Sequence, residues 1–399
     1  MSRRPPIVSV FTGAGGLDIG LHAAGLRVAL CIENDKLARQ TLKRNRPRWP
    51  RADPGDIHEL ALDVGKVLEQ AGLERRETAI LAGGPPCQPW SKSGQWAATA
   101  AIGWEDPRAS TISAYLTLVE GLLPRVVLLE NVSGLASNGN LERLERRLAA
   151  INKRNATRYT LSLLRLNAAD YGIPQLRQRV FLVADREGKE MQAPPPTHGD
   201  GRAEPYRTAW DAIGHLDTHR VPNGLSATGY WADFLPSIPE GRNYLARASK
   251  SVKDVGYFGW RKKYWSFLLK LAKDKPSWTI QAEPGPATGP FHWRSRRLSV
   301  EEMAALQTFP SGYVFPEDYR AAHRQIGNAV PCALGELIGL EIRRQLFGER
   351  VRRTLTLIPE ARDDCPRAHP VRRVPRKYAR HRRRHRPHRG TGLGPAPRT

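Results

Sequence analysis

Apolar residues in the first half of the chain follow two rhythms. Short aliphatic and β-branched runs at 7–11, 28–33, 78–84, 125–132, 160–166 and 179–184 have the length and composition of strands. Between them, 18–24, 35–45, 57–70, 109–123 and 141–153 carry helical spacing. Strands separated by helices of this size predict an α/β fold with a parallel, doubly wound sheet. The rhythm stops at the Pro- and Gly-rich stretch 193–201. From there to about Arg297 the chain is rich in Pro, Gly and aromatics and holds six of the ten tryptophans. That composition predicts a smaller, irregular second domain. Helical spacing returns at 299–307, opened by the capping-box pair Ser299 and Glu302, and again at 333–346. The expected organisation is a main domain over 1–189, a second domain over 190–297, a return segment over 298–348 completing the first, and a tail over 349–399.

Composition narrows the partners. With 40% hydrophobic residues in 399, the chain can bury a substantial core. No apolar run approaches the roughly 18 residues of a membrane span, and the N-terminal Met-Ser-Arg-Arg-Pro-Pro lacks an apolar signal core. The four cysteines, Cys31, Cys87, Cys332 and Cys365, form no Cys-x-x-Cys pair, which argues against a zinc site or a disulfide scaffold. A soluble, intracellular protein without a metal is the expectation. The net charge of +24 points to a polyanion, first of all nucleic acid. Half of that charge lies in 365–399, which has 12 basic and no acidic residues. With so few aliphatic residues, this end is expected to be disordered. Sequence-independent phosphate contact is its functional alternative. His381, His385 and His388 sit among arginines that repel a cation.

Candidate chemistry gathers where strands end. The first strand runs into Thr12-Gly13-Ala14-Gly15-Gly16, a glycine turn whose amides can meet an anionic or polar ligand. Gly13 and Gly15 fit a dinucleotide fingerprint, but Asp18 stands at the third glycine position. Glu33 follows 17 residues after Gly16 at the end of the second strand, where a carboxylate can accept ribose hydroxyls. With Asp56 after the next helix-sized interval, the set suggests an adenosyl cofactor. The third strand leads into Gly83-Gly84-Pro85-Pro86-Cys87-Gln88-Pro89, in which three prolines within five residues stiffen the loop around Cys87. A nucleophile held this way loses little entropy on attack. The fourth strand ends in Glu130, expected to reach the same crevice, and alternation through 175–179 puts Gln175, Arg177 and Arg179 on one face.

These motifs resemble the DNA (cytosine-5)-methyltransferase family of bacterial restriction-modification systems. Phe11 to Gly16 resembles its F-x-G-x-G-G cofactor motif, Pro86-Cys87 its catalytic P-C, Glu130-Asn131-Val132 its E-N-V, and Gln175 to Arg179 its Q-x-R-x-R. Residues 297–310 and 325–331 resemble the motifs that close the recognition domain and end the fold. The match spans roughly 5–345 in the family's order and is loose over 200–295. The resemblance implies a doubly wound, Rossmann-like S-adenosylmethionine-dependent domain with a smaller target-recognition domain. It implies that Cys87 adds to carbon 6 of a flipped-out cytosine while Glu130 protonates ring nitrogen 3. Arg177 or Arg179 is the candidate for raising the thiolate fraction of Cys87. S-adenosylmethionine contacts fall on Phe11, Gly13, Gly15, Asp18, Glu33, Asp56 and Asn328, with Arg108 a weaker candidate. The expected partner is double-stranded DNA, with a separate cognate endonuclease, in a monomeric cytoplasmic enzyme held at the nucleoid by its DNA.

Three rivals stay open at this stage. An NAD-dependent oxidoreductase is disfavoured by Asp18 and by the Cys87, Glu130, Arg179 set. A tRNA cytosine-5 methyltransferase is closer, though the long basic, tryptophan-rich segment favours DNA. A non-catalytic DNA-binding scaffold conflicts with the intact Cys87 and Glu130. Arg261, Lys262, Lys263, Tyr264 and Trp265 interleave charge with aromatics, which suits either DNA contact or a solvated face.

Overall fold

The computed structural model describes residues 4–85, 110–136, 139–218, 220–248, 254–258 and 265–384. Cys87, Arg108, the 261–264 cluster and the last fifteen residues lie outside them.

The main domain alternates as its sequence predicts. In chain order it runs β1 (Pro6–Val10), α1 (Gly16–Ala23), β2 (Arg27–Ile32), α2 (Lys36–Asn45), α3 (Ile57–Leu62), α4 (Val64–Ala71), β3 (Ile80–Gly83), α5 (Ser110–Leu122), β4 (Val126–Asn131), α6 (Asn140–Asn155) and β5 (Thr160–Asn167). The short β6 (Gln175–Leu176) and the long β7 (Gln178–Asp185) follow. Six strands form one sheet in the order β2-β1-β3-β4-β7-β5. Strand residues alternate between two cores. Ile7, Ile80, Val126, Leu128, Phe181 and Val183 face one side. Val8, Val10, Leu81, Val127, Leu129 and Leu182 face the other, against α3 to α6. A sheet covered on both faces needs apolar residues at every position, hence the unbroken apolar runs.

Two expectations require correction. The sheet is parallel only through β4: β7 runs antiparallel to both β4 and β5. The link from β5 to β7 is too short for a helical crossover, and strands joined by so short a link pair antiparallel. The helix expected over 57–70 breaks at Asp63, whose non-helical backbone ends α3 and begins α4.

The second region holds α7 (Ala209–Ile213), short 3-10 turns, β8 (Val255–Gly256) and β9 (Ser277–Trp278), the last paired with β6. A separate aromatic core forms around Phe234, Tyr244, Phe258 and Phe291. Trp210, Ile213, Leu271 and Trp293 instead join the main core, so the two regions share a packed boundary.

The chain then returns as α8 (Val300–Leu306), α9 (Tyr319–Asn328) and α10 (Cys332–Glu341). Ser299 and Glu302 form the expected capping box. Helix α10 lies against α1, and glycines four apart on each allow the close approach. A Cβ on Gly20 would stand 2.1 Å from the Cys332 carbonyl oxygen, and one on Gly335 would stand 2.7 Å from that of Leu17. Helix α9 was not predicted, since only Ala322 and Ile326 are buried apolar residues in it.

The tail expectation also changes. Residues 349–384 are not a free end. Buried Glu336 accepts from the backbone amides of Thr356 and Leu357, Leu355 and Ile358 pack on the main core, and Trp210 donates to Asp364. Arg383–Arg384 forms β10, paired antiparallel with β8. Charge alone suggested disorder, whereas a few apolar and aromatic residues tie the segment down.

Candidate active site

Strand register assembles the site. Val10 pairs with Ile32 on one side and with Gly83 on the other, and Gly83 pairs with Leu129. The residues just beyond, Phe11, Glu33, Gly84 and Glu130, therefore stand along one edge of the sheet, where α/β folds hold ligands.

At the first pair of ends the chain turns sharply. Phe11, Gly13 and Gly15 have φ of +55°, +56° and +82°. A positive φ at Phe11 is unusual for a side chain of that size and marks a locally strained turn. A Cβ built on Gly13 would meet nothing nearer than the Phe11 carbonyl oxygen at 3.9 Å, so the loop is open on that side. Glu33 braces it. One carboxylate oxygen accepts the Gly13 amide at 2.6 Å and the other accepts the Asp35 amide at 2.8 Å. Burial pushes Glu33 above the usual carboxylate range, with these amides pulling it back. Asp56 caps α3 and accepts from Asn34 at 3.2 Å, which ties it to the Glu33 strand end. Gly55 is required there, since a Cβ would stand 2.2 Å from the Glu33 carbonyl oxygen.

Asp18 is fully buried in α1, and one of its carboxylate oxygens has no hydrogen-bond partner. Burial raises it to about 6, and a hydrogen bond with Ser9 keeps it from rising further. Asn328 ends α9 on the surface, directly before Ala329 and Val330, which crowd Gly16. Tyr313 donates to the Ala14 carbonyl at 2.7 Å, so the return segment backs the glycine turn.

At the second pair of ends, a Cβ on Gly84 would stand 3.2 Å from a Glu130 carboxylate oxygen. Asn131 Nδ2 donates to the Pro85 carbonyl at 3.0 Å. The strand that carries Glu130 thus also holds the chain two residues before Cys87. Glu130 is 8% exposed and paired with Arg179, Nε to Oε1, at 2.9 Å. Burial raises its pKa, and the charges of Arg179 and Arg177 oppose the rise.

The sequence placed Gln175, Arg177 and Arg179 on one face of one strand. The structure separates them, because β6 and β7 pair with different partners. Arg179 goes to Glu130. The Arg177 guanidinium donates to the carbonyls of Ile280, Gly327 and Ala329. Gln175 bonds Gln307, which donates to the carbonyls of Ile326 and Ala329. Arg177 is thus a tie between the sheet and the return segment. Asn131, Gln307 and Tyr313 escaped the sequence reading. The first two sit inside its quoted motifs, but nothing in one sequence reports which carbonyl a side chain will meet.

The order of these elements is that of a described family. The sequence matches the C-5 cytosine-specific DNA methylases over residues 6–344. The chain belongs to that family. It is a DNA cytosine-5 methyltransferase, and the family and fold imply S-adenosylmethionine as the methyl donor. It is 35% identical to the Type II methyltransferase M.SacI of Streptomyces achromogenes over 87% of this chain and 94% of that one. M.AquIA of Picosynechococcus is also 35% identical, over 55% of this chain and 92% of its own. In fold it resembles a putative DNA modification methyltransferase from an E. coli prophage (TM-score 0.57, 21% identity, 86% of this chain and 99% of that one). Spodoptera frugiperda DNMT2 is similar in fold too (TM-score 0.55, 15% identity, 84% and 99%).

Proposed function

We propose that the methylase works on double-stranded DNA by covalent addition of Cys87, as the modification half of a restriction-modification system whose endonuclease is a separate protein. The relatives' designation as Type II methyltransferases supports that role. The observation that carries the chemistry is the junction of β3 and β4, where Glu130, Arg179 and the Asn131–Pro85 bond meet at the root of the Cys87 loop.

A base inside a duplex must leave the stack before its ring carbons can be reached. The Cys87 thiolate then bonds to carbon 6, the carbon 5–carbon 6 π pair moves toward carbon 5, and nitrogen 3 takes the Glu130 proton. Burial suits Glu130 to hold that proton. S-adenosylmethionine supplies the methyl group. Loss of the carbon 5 proton to water, return of the nitrogen 3 proton to Glu130 and departure of the thiolate restore the ring. Arg179 or Arg177 favours the thiolate form of Cys87 by its charge.

The turn at Phe11, Gly13 and Gly15 fits the cofactor: its Gly13 side is open, Glu33 and Asp56 stand beside it, and Asp18 has an unpartnered carboxylate oxygen. Glu33 would take the ribose, and Asn328 would close the site from the return segment. The enzyme acts as a monomer in the cytoplasm, held at the nucleoid by its substrate. Methylation mapping of DNA from a host expressing the chain should reveal 5-methylcytosine at one recurring sequence. With Cys87→Ser the marks should vanish while S-adenosylmethionine binding persists. Substantial methylation by that variant would remove Cys87 as nucleophile.

A further inference from the structure

The basic segment beyond the return helices is docked on the recognition region, with one tyrosine at the centre of the contact. Tyr378 is fully buried in the aromatic core. Its ring stacks on Trp231 at 5.4 Å and 9°, meets Phe234 edge-on at 5.1 Å, and its hydroxyl donates to the Tyr230 carbonyl at 2.6 Å. It lies in a 3-10 turn, Arg376–His381, where side chains three apart share a face. His381 accordingly joins it against Trp231, 5.0 Å between rings. The other faces turn outward. Lys377 pairs with Asp233, and Arg380 lies over the Tyr230 ring at 5.5 Å. Arg376 opens the turn, Arg382 follows it with extended backbone, and both are exposed. Residues 366–384 contain nine Lys and Arg and no acid.

We propose that this turn is an anchored phosphate grip for duplex DNA, with Tyr378 as its plug and Arg376 and Arg382 as its contacts. Two guanidiniums at the ends of a docked turn meet the phosphate backbone without reading bases, so they add hold but not sequence choice. Docking is what distinguishes it from a free basic tail: β10 continues the turn as a strand on β8, which keeps the charge on the recognition region. The inference rests on the DNA methylase reading for its partner.

The test is duplex binding by fluorescence anisotropy across a salt series, with the full-length protein. In Arg376→Gln/Arg382→Gln the slope of log affinity against log salt should fall by about 1.8, at about 0.9 per phosphate contact. The loss should be equal on target and non-target duplexes, with the melting temperature and S-adenosylmethionine binding unchanged. Tyr378→Ala keeps every charge but frees the turn, and should weaken duplex binding as much as the double variant. Tyr378→Phe, which keeps the ring, should not. An unchanged slope in the double variant overturns the grip, as does wild-type duplex binding by Tyr378→Ala. A slope loss seen on tRNA but not on duplex overturns the choice of DNA. Failure of the wild type to methylate DNA, with the slope change intact, would instead sink the proposed reaction and leave the grip standing.

Discussion

The role proposed for Glu130 depends on its position. A glutamate in water is ionised at neutral pH and cannot protonate a ring nitrogen. Burial at the end of β4 raises its pKa while Arg179 restrains the rise. Under the proposed mechanism kcat/KM falls as pH climbs through the raised value of Glu130 and rises from the acid side as the Cys87 thiol ionises. Glu130→Gln should therefore lose the alkaline limb of the pH profile and about 10²–10⁴-fold in kcat. An unaltered profile would show that the carboxyl does not titrate in the reaction. Asp18 gives a second residue-scale test. Its folded pKa of about 6 lies above the unfolded value, so its contribution favours the fold below about pH 4 and is lost as pH rises through about 6. Relative to Asp18→Asn, the cofactor-free protein should thus lose a few kcal/mol between those values, read by urea unfolding.

At the scale of elements, glycine spacing matters as much as apolar pattern. The α1–α10 contact joins the first and last helices of the fold with backbone against backbone. Gly20→Ala would drive a methyl into the Cys332 carbonyl and the Glu336 amide, 2.1 and 2.4 Å from the new carbon. It should cost about 1–3 kcal/mol by overpacking and lower the thermal midpoint accordingly. The strands, most helices and the Ser299 cap were legible in the sequence because each depends on local periodicity or on a partner three residues away. The direction of β7 was legible too, in the short link from β5, but the strand–helix alternation outweighed it; the break at Asp63 was not, since it answers to tertiary packing. Helix α9 was missed for its sparse apolar pattern, although the Asp318 cap, accepting from Ala321, is a signal that could have found it.

For the molecule as a whole, the return segment backs the turn proposed to hold the cofactor. Arg177 and Gln307 hold the carbonyls of Ile326, Gly327 and Ala329, and so fix the chain on both sides of Asn328. Arg177→Met would take the Arg177 donor from the Ile280 and Gly327 carbonyls and leave the Ala329 carbonyl to Gln307, at about 1–3 kcal/mol for each of the first two before relaxation. The expected result is a lower melting temperature together with weaker S-adenosylmethionine binding by calorimetry. Unchanged cofactor affinity in a folded variant would separate Asn328 from the cofactor. The basic end shows the same dependence on long-range contact. Its composition spoke for disorder, yet a buried tyrosine, a two-residue strand pairing and hydrogen bonds from His369 and Arg372 hold it on the recognition region. By itself, the sequence determined the order of strands and helices and which residues carry reactive groups, because these follow from local spacing and side-chain chemistry. Only the tertiary structure decided which groups meet. Glu130 took Arg179 rather than Arg177, Asn131 took Pro85, and Tyr378 took the core around Trp231, because such partners lie from a few dozen to more than a hundred residues apart and are chosen by packing.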